Sequence, residues 1–167
     1  MNIRPATPED FDAVMAISDQ VNLDHHQALP ELFLHPRDMA DSRAFWMDHL
    51  PTDDQLFLVA EDAEGVTGFI TAKISENHVI PYFTSDRICR IGTIAVTADK
   101  RKRGTGNRLM KAAEDWARQR GASQIHLTVM DFNRGALAFY EKGGYGLLSR
   151  TMAKSLDDRP SGTLPDR

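Results

Sequence analysis

The chain has 167 residues, 41% of them hydrophobic, a net charge of −4 and one cysteine, Cys89. That length and apolar content suit one domain with a real core and exclude a peptide, a disordered tail or an intramolecular disulfide framework. No apolar run reaches the ~18–20 residues that a membrane span needs, and "MNIRPATPED" lacks the apolar stretch of a signal peptide, so the expectation is a soluble, cytoplasmic chain with no membrane partner.

"NIRPA" at residues 2–6 reads as a brief edge strand. Thr7 is a plausible N-cap, with Pro8 at the first helical position and acids at Glu9 and Asp10. Phe11, Val14, Met15 and Ile17 then recur at helical spacing, which predicts a first helix to about Val21. "NLDHHQALPELFLHP" reads as a loop or short turns, and a second helix with Met39, Phe45, Trp46 and Leu50 closes at Pro51. "QLFLVAED" and "VTGFITAKIS" form a strand hairpin around "AEG". After the polar stretch "ENHVIPYFTSDR" comes the strongly β-prone "ICRIGTIAV", then a glycine-punctuated loop and helix ending near Gly121. "QIHLTVM" predicts a strand, "NRGALAFYEKG" a helix, and "YGLLSRTMAKSL" one or two final strands. Residues 1–156 are thus one domain, and 157–167, with one apolar side chain and two prolines, read as a loose tail. The order β–α–α–β–β–β–α–β–α–β gives an α/β fold with a mixed, mostly antiparallel sheet flanked by helices. Its central β–α–β unit requires two parallel strands and a right-handed crossover.

Charge is unevenly spread. Residues 1–90 carry 6 Lys/Arg and 16 Asp/Glu, a net of −10, and residues 91–167 carry 14 and 8, a net of +6. Such a split is either solvated surface or two partners of opposite charge meeting between the halves. The segment "DKRKRGTGNRLM" concentrates the basic side, with Gly104 and Gly106 where a helical pattern begins. A helix start offers unpaired backbone N–H groups and a positive dipole end, so it suits an anion such as phosphate. Glycine lets the backbone come close to that anion. Asn107–Arg108 breaks the P-loop pattern, and Leu109 breaks the dinucleotide fingerprint. The rest of the chain has no recognisable nucleic-acid module, and six histidines without ligand spacing argue against a zinc site. Neither nucleic acid nor a metal is expected.

"IAVTADKRKRGTGNRLM" followed by "LTVMDFNRGALAFYEKGGY" resembles the GNAT superfamily of N-acetyltransferases. The first stretch matches its acetyl-CoA motif as Arg101-Lys102-Arg103-Gly104-Thr105-Gly106, and the second its following motif through Asn133, Ala136, Phe139, Tyr140, Gly144 and Tyr145. The resemblance covers roughly residues 88–156. Lys102 stands where members often have glycine, Thr105 where they have an apolar residue, and Ala98 where they have proline. Backbone amides serve at Lys102 if its conformation is ordinary.

The resemblance implies that the strand ending at Val96 and "QIHLTVM" splay apart to admit the pantetheine of acetyl-CoA, beside Ile94, Ala95 and Val96. A backbone N–H near Val96 would polarise the thioester carbonyl. The pyrophosphate would lie on Arg101, Lys102, Arg103, Gly104, Thr105, Gly106 and Asn107. Asn133 would contact the pantetheine arm, and it also fits as a helix N-cap. Tyr140 is the expected catalytic acid and a cofactor contact: protonated at neutral pH, it can donate to the departing thiolate. The general base stays open among His126, His26, Asp131 and Tyr82. The expected activity is acetyl transfer from acetyl-CoA to an amine, of a small molecule or of a protein or peptide, by direct attack in a ternary complex. A non-catalytic acyl-CoA-binding regulatory domain is the alternative, and a homodimer is admissible. The acceptor wall is expected in the N-terminal half, where "DHHQALPELF" carries the most chemistry.

Overall fold

The computed structural model describes residues 1–39, 42–76, 86–154 and 156. Five strands, β1 (Asn2–Pro5), β2 (Gln55–Asp62), β3 (Gly65–Glu76), β4 (Arg87–Val96) and β5 (Gln124–His126), form one sheet in sequence order. β1 to β4 pair antiparallel, and β4 pairs parallel with β5. Helices α1 (Phe11–Ala28) and α2 (Arg43–Met47) cover one face; α3 (Thr105–Gln119) and α4 (Arg134–Lys142) cover the other. The expected mixed α/β sheet with a central β–α–β unit is present.

Alternation along β2 builds both cores at once. Phe57 and Val59 meet Phe11, Val14, Ile17 and Trp46 under α1 and α2. Leu56 and Ala60 meet Leu109, Met110, Ala113 and Ala117 under α3. The chain enters α1 through Thr7 and Asp10. The Thr7 N–H donates to Asp10 Oδ2 (2.9 Å), and Arg4 grips both oxygens of Asp10 at 2.7 and 2.8 Å.

β4 carries the feature that shapes the site. Ile70 faces Ile94 and Ala72 faces Ile91, so β4 has one residue more than β3 between these pairs. The extra residue flips the strand's parity. Cys89 and Ile91 before it, and Ile94 and Val96 after it, all face the α3 core. The Thr71 hydroxyl accepts from Thr93 N–H (3.0 Å), and a side chain at Gly92 would strike that oxygen at 2.8 Å.

Four elements differ from the sequence reading. α1 continues past Val21 to Ala28, because neither proline nor glycine intervenes before Pro30, although the apolar stripe has ended. α2 is only five residues long, with a separate turn at Pro36–Asp38. β5 stops at His126, since β4 pairs with it only from Ile88 to Arg90. No strand is assigned to residues 145–154 among the described residues. The stretch 77–85 and the tail 157–167 lie outside the described residues.

Candidate active site

Beyond Arg90 and His126 the two parallel strands part. On β4 the Thr97 N–H still donates to Thr67 O (2.9 Å). By the strand's alternation Ala95 N–H therefore turns to β3, whereas Ile94 and Val96 direct theirs into the gap. The expected splay is present, and two of the three anticipated β4 residues offer donors to it.

At the end of the gap lies the basic segment. α3 begins at Thr105, and its first internal bond at this end runs from Arg108 N–H to Gly104 O (3.1 Å). Lys102, Arg103, Gly104, Thr105, Gly106 and Asn107 precede that bond, and none of these backbone N–H groups has a protein acceptor among the described residues. Six consecutive orphan donors at a helix N-terminus form an anion cradle. Gly104 reaches it with φ +87°. Lys102 also has φ +61°, so the condition of an ordinary conformation is not met, yet its N–H remains unpaired among the described residues. Gly106 has a packing duty as well, since a Cβ there would sit 3.3 Å from the Phe139 ring of α4.

The six basic side chains divide by role. Lys100 is held by Asp62 (3.2 Å) and Glu64, and Lys111 by Asp115 (2.7 Å). Arg101 donates to Val96 O (3.1 Å) and lies 3.9 Å from Asp24, which ties the loop to α1 rather than leaving the guanidinium for an anion. Lys102, Arg103 and Arg108 are exposed and have no partner among the described residues. These three can complement a bound polyanion.

α4 supplies two further groups. Asn133 accepts from Ala136 N–H at 3.0 Å, so the capping role is realised, and its side-chain N–H₂ is left available as a donor. Tyr140 packs on the cluster that holds Ile94, Val96 and Leu127, with Phe139 at 5.3 Å and Tyr145 at 5.9 Å between ring centres. Its hydroxyl has no partner among the described residues, and burial pushes its pKa above the ordinary tyrosine value. The phenol therefore keeps its proton and is free to give it. Tyr145 differs in that its hydroxyl donates to Glu114 Oε1 at 3.1 Å.

The candidate bases separate. Asp131 is 90% exposed and lies 3.5 Å from Arg134. His126 is engaged with Gln124 Oε1 at 2.9 Å on β5. Tyr82 lies outside the described residues. His26 Nδ1 is 2.7 Å from Phe33 O, with His35 at 5.1 Å. The residue that sequence reasoning missed is His25. Its Nδ1 meets Val21 O at 2.7 Å, so Nδ1 is the donor there and Nε2 has no partner among the described residues. Its ring lies 4.9 Å from Phe33 and 5.2 Å from Phe132, the neighbour of Asn133. The doublet in "DHHQALPELF" signalled histidine chemistry, and only the extension of α1 through it shows which imidazole meets the α4 entrance.

An anion cradle opening on parted parallel strands, with a half-buried phenol beside them, has the chemistry to take a phosphate-bearing ligand with an extended arm. The chain belongs to the acetyltransferase (GNAT) family, whose model matches residues 21–145. It is 30% identical over 148 residues to the uncharacterized N-acetyltransferase YhfO of Bacillus subtilis, covering 87% of this chain and 89% of that protein. In fold it is similar to BH1408 of Bacillus halodurans, seen as a single-residue mutant (TM-score 0.88, 22% identity, 93% of this chain and 99% of that one). It is also similar to AAC(6')-Iy in complex with a bisubstrate analogue, CoA-S-monomethyl-acetylneamine (TM-score 0.71, 17% identity, 93% and 97%). Among the described residues no helix is long and apolar enough to cross a membrane.

Proposed function

We propose that the protein moves an acetyl group from acetyl-CoA to a primary amine by direct attack within a ternary complex. The observation that carries this reading is the row of orphan amides from Lys102 to Asn107, set where β4 and β5 part. Acetyl-CoA supplies the acyl group as a thioester. Those amides, with Lys102, Arg103 and Arg108, hold its pyrophosphate. Ile94 N–H and the Asn133 side chain donate to the pantetheine arm, and Val96 N–H polarises the thioester carbonyl.

Proton movements fall to His25 and Tyr140. The amine nitrogen bonds to the carbonyl carbon, the C–S bond breaks, and its electron pair leaves on sulfur. His25 Nε2 takes the proton from the attacking nitrogen, and the Tyr140 hydroxyl gives its proton to the thiolate, whose proton affinity matches a thiol of pKa about 8.5. The acidic N-terminal half, with Asp24 beside the site, favours a cationic acceptor. The likeness to AAC(6')-Iy, bound to its acetylneamine analogue, supports a CoA thioester and makes aminoglycosides the first amines to try.

The test is release of free thiol from acetyl-CoA with aminoglycosides, polyamines and peptide amines, matched to N-acetyl product by mass spectrometry. Equimolar thiol and amide product are expected with at least one amine class. Saturable acetyl-CoA binding without turnover of any amine would replace this reading with a non-catalytic acyl-CoA-binding domain.

A further inference from the structure

The cations on the sheet are partnered unequally. Among the described residues the five strands carry four: Arg4, Lys73, Arg87 and Arg90. Arg4 is held by Asp10 (2.7 Å) and Glu61 (3.0 Å), and Arg87 by Asp54 (3.4 Å) and Glu76. Lys73 and Arg90 are exposed and meet no acid among the described residues. Yet residues 1–90 hold 16 acids against 6 bases, so counter-charge is plentiful in this half.

These two cations are direct partners across β3 and β4. Their chain neighbours Ala72, Ile74, Cys89 and Ile91 all face the α3 core, so Lys73 and Arg90 stand together on the opposite face. Like charges set directly opposite each other weaken strand pairing. Arg90 Nε donates to Ser75 Oγ (3.2 Å), and its terminal nitrogens have no partner among the described residues. The parallel register carries the row on to His126, beside Arg90 on β5. β4 and β5 part just beyond this pair, so the row lies at the closed end of the gap. It occupies the face over which α1 carries His25. The four residues from Arg90 to Ile94 span about 13 Å of strand.

We infer that Lys73 and Arg90 bind an acidic group, a carboxylate or a phosphate, on the acceptor. The substrate is then an amine that also carries an acid several bonds from its nitrogen, an assignment that rests on the amine transfer proposed above. An anion between the two side chains removes their mutual repulsion, and the arginine fork adds charge-assisted hydrogen bonds. The acids of the N-terminal half still draw the ammonium end, so the two ends of one molecule answer the two signs of charge.

Calorimetric titration of the full chain, with and without CoA, reads amine binding independently of acetyl transfer. The probes are matched pairs: β-alanine with its amide, amidated tripeptides carrying Glu or Gln at the second residue, and phosphoethanolamine with ethanolamine. In at least one pair the acidic member should bind about tenfold more tightly than the neutral one. Lys73→Met/Arg90→Met should erase that difference, and Lys73→Glu/Arg90→Glu should invert it, each with the melting temperature of the domain retained. No acidic preference in any pair, or one that survives both double variants, would overturn the inference. Failure to acetylate any amine would instead count against the transfer reading, since CoA carries no acetyl group in these titrations.

Discussion

Replacing Tyr140 by phenylalanine separates chemistry from packing. The change keeps the ring contacts with Phe139 and Tyr145 and removes a hydroxyl that bonds to nothing among the described residues. No internal hydrogen bond is lost, so stability should stay within about 0.5 kcal/mol, or about 2 °C in melting temperature for a chain of this size. Loss of the proton donor should lower the chemical rate by about 10²–10⁴-fold, equivalent to about 2.7–5.4 kcal/mol of barrier. Tyr145→Phe is the mirror experiment. It deletes a bond to Glu114 worth about 1 kcal/mol and so costs about 2–4 °C, with the rate kept within about threefold. Single-turnover mixing at saturating acetyl-CoA and amine isolates the chemical step. Because burial holds the Tyr140 proton above the usual tyrosine range, the wild-type rate should show no descending limb below about pH 10. A Tyr140→Phe enzyme as fast as wild type in single turnover, or one slowed no more than Tyr145→Phe, would remove Tyr140 from the chemistry.

Three further outcomes follow from particular residues. Lys102→Gly relieves a left-handed backbone conformation that costs a non-glycine residue about 1 kcal/mol or more, so the melting temperature should rise by about 2–4 °C while acetyl-CoA affinity is retained; thermal denaturation with and without acetyl-CoA reads both. Asp10→Asn should lower stability at pH 7 by about 1–2 kcal/mol. Hydrogen bonding from Arg4 holds the Asp10 pKa below the ordinary carboxylate value, so this contribution is complete above about pH 4 and is lost as pH falls through the depressed value. Chemical denaturation from pH 7 to pH 2 should show the two proteins converging. Among acceptors, a peptide α-amine is unprotonated in about one molecule in six to eleven at pH 7 and a lysine amine in about one in 2,500. Competition on matched peptides should therefore favour the α-amine at pH 7 and less so at pH 9, whereas a lysine preference largest at pH 7 would show that the site itself deprotonates the ammonium.

What the sequence made legible was local, and what it hid depended on distant partners. Gly104 and Gly106 could be placed at a helix start from the local pattern, and Asn133 and Tyr140 on the next helix through the motif resemblance, because helix starts and helix faces are short-range structures. The extra residue in β4 could not be, since it is defined by Thr71 on the neighbouring strand and shows in the sequence only as Gly92 inside a β-prone run. "QIHLTVM" and "YGLLSRTMAKSL" have β composition, which does not report how far a neighbouring strand runs beside them. The ladder with β4 covers only Gln124 to His126 of the first. Arg101 read as part of the pyrophosphate site, but its guanidinium is engaged with Val96 O, a carbonyl with no sequence signature. His25 comes beside Phe132 only because α1 outlasts its apolar stripe, and an amphipathic pattern does not report that continuation.

The central claim is that acetyl-CoA sits on the amides that open α3 and runs between β4 and β5. Titrating ¹⁵N-labelled protein with acetyl-CoA and following every assigned amide tests it most directly. The largest shifts should fall on Lys102 to Asn107, with Ile94 and Val96 following and Ala95, whose N–H faces β3, moving less. Saturable shifts that spare Lys102 to Asn107, or no shifts at millimolar acetyl-CoA, would contradict the account.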